Sequence, residues 1–137
     1  MAKRILSIVA ALLVAFIIIT GFEELGPILF KTPVIDSRDP KTISDMMQHM
    51  PLAAFLWLLL GYALAAFLGG LVATYISGRD NILPAIMIGV FLIVGSIMNF
   101  IQIPGHPIWF IVVNILLYLP CAWLGYLLAK KKEVKAA

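Results

Sequence analysis

The sequence predicts an all-α membrane protein: a four-transmembrane-helix bundle with a short extracytoplasmic amphipathic helix and both termini cytoplasmic. Three observations predict it. Of 137 residues, 63% are hydrophobic and only 12% charged, with mean hydropathy +1.06, whereas a soluble domain is about half apolar and about one quarter charged. The apolar residues fall in four runs, each long enough to cross a hydrocarbon core about 30 Å thick. The ten lysines and arginines gather in alternate connections rather than spreading evenly.

The first run follows a short basic start, Lys3 and Arg4, and is continuously apolar from Ile5 to Ile19 apart from Ser7. A signal peptide would continue into a small-residue cleavage site. Here Thr20-Gly21-Phe22-Glu23-Glu24-Leu25-Gly26-Pro27 follows and the apolar character resumes, so an uncleaved first span is expected over about residues 5–30. Ser7, Ala11 and Ala15 recur every fourth residue and give it a thin face for close packing.

Residues 31–50 form the only long polar connection. Asp39 is a good N-cap with Pro40 at the first helical position. Ile43, Met46, Met47 and Met50 then make one apolar face, so a surface helix over about residues 40–49 is expected to lie flat on the membrane or cap the bundle. Pro51 limits it. The second span, about residues 52–76, carries Gly61, Ala65, Gly69, Ala73 and Ser77 at four-residue spacing, with Ala66, Gly70 and Thr74 beside them. Such rows let helix backbones approach closely, and this face reads as structural: Gly61, Ala65, Gly69, Gly70 and Ala73 are its packing residues.

Gly78-Arg79-Asp80-Asn81 is a tight turn. The third span covers about residues 82–103, with Ala85 and Gly89 as small contacts and Ser96, Asn99 and Gln102 at three-residue spacing on roughly one face. Pro104, Gly105 and Pro107 break the chain. The fourth span covers about residues 108–129, with a kink expected at Pro120, and a basic tail, 130–137, follows. The whole chain is one membrane domain.

With four spans, Lys3, Arg4, Arg79 and the four tail lysines share one side, against Lys31, Arg38 and Lys41 on the other. The positive side is expected to be cytoplasmic. Trp57 and Trp109 then fall near the outer interface, and Tyr75 and Tyr126 near the inner one. A shift of 56 residues sets Pro51 on Pro107, Tyr62 on Tyr118, Ala66 on Ala122, Leu68 on Leu124 and Gly69 on Gly125, a hint of two tandem hairpins.

This topology brings distant polar residues into the outer half. Polar groups are costly in hydrocarbon, so a cluster at one depth points to a site. The candidate ligand or proton site is Glu23, Glu24, Asn99, Gln102, His106 and Asn114. Glu23 and Glu24 point about 100° apart on a helix. Glu24 is the expected inward member, able to take up and release a proton, while Glu23 reaches the interface. Against this stands the plainer reading, in which the amides only join helices at about 0.6–2 kcal/mol each.

His49 and His106 with a glutamate, or His49 with Met46, Met47 and Met50, are metal-ligand types without specific spacing, so no metal or cofactor is expected. The single cysteine, Cys121, forms no internal disulfide. No nucleophile–base pair, phosphate loop or dinucleotide fingerprint is present, so an enzyme is the least favoured reading. The net charge of +3 lies largely in the tail and reads as topology, not nucleic-acid binding.

Gly21-Phe22-Glu23-Glu24-Leu25-Gly26, Gly69-Gly70 and Pro104-Gly105-His106-Pro107-Ile108-Trp109-Phe110 give the chain its family likeness. Over its whole length it resembles a group of small bacterial four-span membrane proteins with no established activity. The resemblance implies bacterial origin and topology, and the chain is expected in the cytoplasmic membrane. In span count and an acidic residue in helix one, it is also similar to small multidrug resistance transporters. Those carry a single glutamate near mid-membrane and no long polar connection after helix one; here the acids are late, paired and followed by Gly26-Pro27.

The function expected is non-enzymatic solute binding or transport at the outer polar site. The alternative is a scaffold or accessory subunit whose polar residues only hold helices together. The expected partners are the lipid bilayer and a second copy or another membrane protein. The orientation is directly testable. Ser37→Cys in a Cys121→Ala background labels with an impermeant thiol reagent in intact cells; labelling only after lysis reverses the orientation.

Overall fold

The computed structural model describes residues 2–31, 39–78, 80–102 and 105–130. It is all-helical: α1 (Ala2–Phe30), α2 (Pro40–Gln48), α3 (Leu52–Ile76), α4 (Leu83–Gln102) and α5 (Ile108–Ala129). Four of these, all but α2, are long and apolar enough to cross a membrane. Residues 32–38 of the polar connection, Arg79, Ile103, Pro104 and the tail from 131 to 137 lie outside the described residues.

Local chemistry starts several helices. Asp39 caps α2, accepting from Lys41 N at 3.2 Å and from Thr42 Oγ1 at 3.3 Å. Asn81 Oδ1 accepts Leu83 N at 2.9 Å and opens α4. Pro51 and Pro107 precede α3 and α5 in the same extended conformation, φ −66°, ψ 150° and φ −60°, ψ 144°. Gly78, at φ +110°, makes the turn after α3, a conformation that side-chain-bearing residues rarely adopt. Among the described residues α2 does not pack on the other helices. The side chains of Ile43 and Met47, half of its expected apolar face, lie outside the described ones.

α3 is the centre of the bundle, packed chiefly against α1 and α5, while α1 and α4 approach each other least of the packed pairs. At the end that carries the chain termini, small residues set the spacing. Ser7, Ala11 and Ala15 of α1 are fully buried, as are Ala65 and Ala73 of α3. A Cβ on Gly69 would lie 3.0 Å from Ile88 Cγ2 and 3.6 Å from the Ala11 carbonyl oxygen. The closest approach is between α3 and α5. There a Cβ on Gly70 would strike the Ala122 backbone, 2.9 Å from its Cα, and one on Gly125 would strike the Phe67 carbonyl and lie 2.7 Å from Leu71 N.

The other end is built from larger groups. Phe55, Leu59, Tyr62, Ala66, Phe110 and Tyr118 form one core cluster between α3 and α5. Phe55 and Phe110 lie 5.1 Å apart, Tyr62 and Phe110 6.4 Å, Tyr62 and Tyr118 6.3 Å between ring centroids. Glycine contacts mark one end of the α3–α5 seam and rings the other. α4 is buried only toward the glycine end: its buried residues Pro84, Ala85, Ile88 and Gly89 all lie in its first half, and Asn99 and Phe100 are only half-buried.

Gly125→Ala places a methyl group against backbone that cannot rotate away, and is expected to cost about 1–3 kcal/mol by overpacking. Gly21, with nothing within 4 Å of its Cβ position, is the control. Thermal unfolding in detergent checks both: Gly125→Ala lowers the midpoint and Gly21→Ala leaves it unchanged or raises it.

Candidate functional site

Between the four long helices, on the ring side of the bundle, lies a cleft of about 160 Å³. All four long helices contribute to it: Glu23 from α1, Tyr62 from α3, Ser96 and Asn99 from α4, Asn114 and Tyr118 from α5. Ile19, Phe91, Leu92, Gly95 and Phe100 complete the lining. Tyr62 and Tyr118 each lie roughly 15 Å along their helices from the starts at Leu52 and Ile108, so the cleft reaches well below the helix ends.

Two hydrogen bonds organise its polar side. Tyr62 Oη donates to Glu23 Oε1 at 3.1 Å, joining α3 to α1. Ser96 Oγ and Tyr118 Oη lie 2.5 Å apart and join α4 to α5. Asn114 is different. It is fully buried, and neither its Nδ2 nor its Oδ1 has a hydrogen-bond partner. Its amide sits beside Tyr118, one helical turn along, without reaching hydrogen-bond geometry. A buried amide without a partner carries a desolvation penalty of about 1–3 kcal/mol.

The structure brings together Glu23, Asn99 and Asn114 of the residues singled out in the sequence. It does not bring Glu24, Gln102 or His106 to the cleft lining. The assignment of Glu24 as the inward carboxylate is corrected: both glutamates are exposed, and it is Glu23 that takes the tyrosine and lines the cleft. The reason is the rotation of α1. Its packed row, Ser7, Ala11 and Ala15, continues at the same spacing through Ile19 to Glu23. Phe22 against Gly61 and Gly26 against Trp57 hold that rotation. The Trp57 indole N–H also donates to the Phe22 carbonyl at 2.9 Å, next to Pro27, which has no N–H to give Glu23.

Gln102 is exposed near the end of α4. Three-residue steps fall about 60° short of a full turn, so Ser96 and Asn99 face the cleft while Gln102 has rotated off it. His106 is half-buried as an aromatic ring, stacked 5.6 Å from Phe110 and edge-on to Phe100 at 4.9 Å. Nδ1 of His49 lies 2.7 Å from the Asp45 carbonyl oxygen at the end of α2. Among the described residues no group of three histidine, cysteine or acidic side chains gathers to hold a metal ion.

Tyr62, Tyr118 and Ser96 are the functional candidates that the polar-residue count missed. Tyrosine reads as an interface anchor, yet both lie deep in their spans. The available signal was the 56-residue shift, which sets one tyrosine on the other.

No protein-family profile, curated protein or solved structure matches the chain.

Asn114→Leu replaces an unpartnered amide by an apolar group of similar size. The expected result is a gain in stability of about 1–2 kcal/mol, read as a higher thermal midpoint in detergent. A loss instead would mean that the amide is held by a partner in the folded bundle.

Proposed function

We propose that this chain is a non-enzymatic, multi-pass protein of the bacterial cytoplasmic membrane that binds a small polar solute in the four-helix cleft. The observation that carries the reading is Asn114, fully buried on the cleft wall with both ends of its amide unpaired. A group retained at such a cost in hydrocarbon is better explained by a ligand than by packing. The volume of about 160 Å³ suits a molecule near the size of benzene. Glu23, hydrogen-bonded to Tyr62, supplies the one carboxylate and is the group suited to accept a proton as solute moves.

The non-enzymatic reading draws support from the lining, which offers phenols, amides, one hydroxyl and one carboxylate but neither histidine nor cysteine. Orientation draws on the lysine and arginine distribution, which favours cytoplasmic termini and an outer α2. The cleft then opens in the outer half, where solute would arrive from outside. Binding followed by movement across the membrane would make the chain a transport unit.

A second reading has its own observation. Tyr62–Glu23 and Ser96–Tyr118 each join two helices, as expected of an accessory subunit or scaffold whose polar groups only fasten the bundle. Equilibrium dialysis of the purified chain with radiolabelled glycerol, ethanolamine and acetamide separates the two. Solute binding predicts saturable uptake of at least one probe, weakened about tenfold or more by Glu23→Gln and little changed by Glu24→Gln. No binding by any probe, with Glu23→Gln lowering only thermal stability, favours the scaffold.

A further inference from the structure

The polar cleft is not isolated. A second, apolar groove of about 420 Å³ runs along α1 beside α4, lined by Val9, Leu12, Leu13, Phe16, Ile19 and Leu92. Ile19 and Leu92 line the cleft as well, so groove and cleft adjoin at these two side chains. The groove exists because α1 and α4 are the least closely packed pair, and Leu13 and Phe16 on its wall are exposed. In a bilayer it opens sideways to lipid.

The sequence of chemistry along α1 is therefore apolar from Val9 to Ile19, then polar at Glu23. That order matches an amphiphile whose head lies toward the Phe30 end of α1 and whose tail points to the bilayer centre. The groove runs roughly 15 Å along the helix. An extended chain advances roughly 1.2 Å per bond, so a tail of about a dozen carbons fills that length.

The head can be argued from the donors and acceptors. No lysine or arginine lines the cleft, and Glu23 does, which disfavours a phosphate or carboxylate head. Asn114 presents an unpaired donor and an unpaired acceptor. An ammonium head has only donors and would leave the Asn114 Nδ2 unpaired. A hydroxyl both donates and accepts, so it satisfies both ends of the amide.

We propose that the cleft and groove together hold a single-tailed lipid alcohol taken sideways from the bilayer, its hydroxyl at Asn114 and its tail along α1 between Ile19 and Val9. This rests on the reading of the cleft as a binding site. The test titrates tritiated 1-dodecanol, dodecylamine, dodecanoic acid and glycerol into the full chain in phosphatidylcholine nanodiscs, with empty nanodiscs subtracted. The expected result is saturable 1-dodecanol binding about tenfold or more tighter than any of the other three. Asn114→Leu and Leu92→Trp, one at the head and one at the junction, should each weaken it about tenfold or more. Leu92→Trp carries the test alone should Asn114→Leu fail to fold.

Dodecylamine or dodecanoic acid bound as tightly as 1-dodecanol overturns the hydroxyl assignment. Glycerol bound as tightly as 1-dodecanol overturns the groove while leaving the cleft as a solute site. No saturable binding of any probe overturns both. Binding that survives both substitutions places the amphiphile elsewhere and also overturns the proposal.

Discussion

The crossing of α3 and α5 at Gly70 and Gly125 is the constraint on which the rest of the bundle depends. Each glycine lies against the partner's backbone, so the two helices touch there with no side chain between them. Water does not drive helices together inside a bilayer; close van der Waals packing must do it, and it needs surfaces without Cβ atoms in the way. Phe55, Tyr62, Phe110 and Tyr118 occupy the seam farther along, and rings of that size cannot fit where the glycines fit. The cleft lies on the ring side of this crossing, where α4 has no buried residue beyond Gly89.

Most polar groups gather on the ring side of the crossing. Near the glycines the buried positions of α1 and α3 are mostly alanine and glycine; Ser7 returns its hydroxyl to its own helix at Arg4 O, 2.6 Å away, and Thr74 is buried with its hydroxyl unpaired. Beyond the crossing, the same rows carry Glu23, Tyr62, Asn114 and Tyr118. Neither Tyr62–Glu23 nor Ser96–Tyr118 crosses the α3–α5 seam: one ties α1 to α3, the other α4 to α5. Two hairpins, each fastened internally, meet along a seam made of glycine contacts at one end and ring contacts at the other. Their polar side chains face one another across the cleft instead of being consumed in joining the halves.

Much of this fold is legible in the sequence because hydrocarbon thickness and backbone hydrogen bonding leave little choice. Four apolar runs of sufficient length become four long helices, and Asp39 caps α2 through its own carboxylate. The site was legible in composition but not in rotation. Two adjacent glutamates differ by about 100°, and no property of Glu23 or Glu24 itself decides which turns inward. The decision is made by Ser7, Ala11 and Ala15, whose row ends on Glu23, together with Phe22 and Gly26 against α3. The same limit applies on α4, where a three-residue spacing looks like one face over two positions and drifts off it by the third, leaving Gln102 outside. Tyr62 and Tyr118 were hidden for a different reason: tyrosine is ordinary at a membrane interface, and only depth along the helix makes these two unusual.

The cost of the arrangement bears on its purpose. Asn114 could have been a leucine with no loss of shape, and a bundle selected only for stability would gain by that change at a site this deep. Tyr62 and Tyr118 recover part of their cost through Glu23 and Ser96. Asn114 has only the nearby Tyr118 hydroxyl, which its amide does not reach in full hydrogen-bond geometry. The unpaired group is also the one that sits on α5 between the two tyrosine-bearing seams and facing the carboxylate's cleft, where a bound hydroxyl would meet Glu23, Asn99 and Tyr118 as well. A scaffold accounts for the paired groups. Among the described residues two buried side chains stay unpaired: Thr74, whose hydroxyl lies outside the cleft lining, and Asn114, whose amide is the one a solute in the cleft would answer.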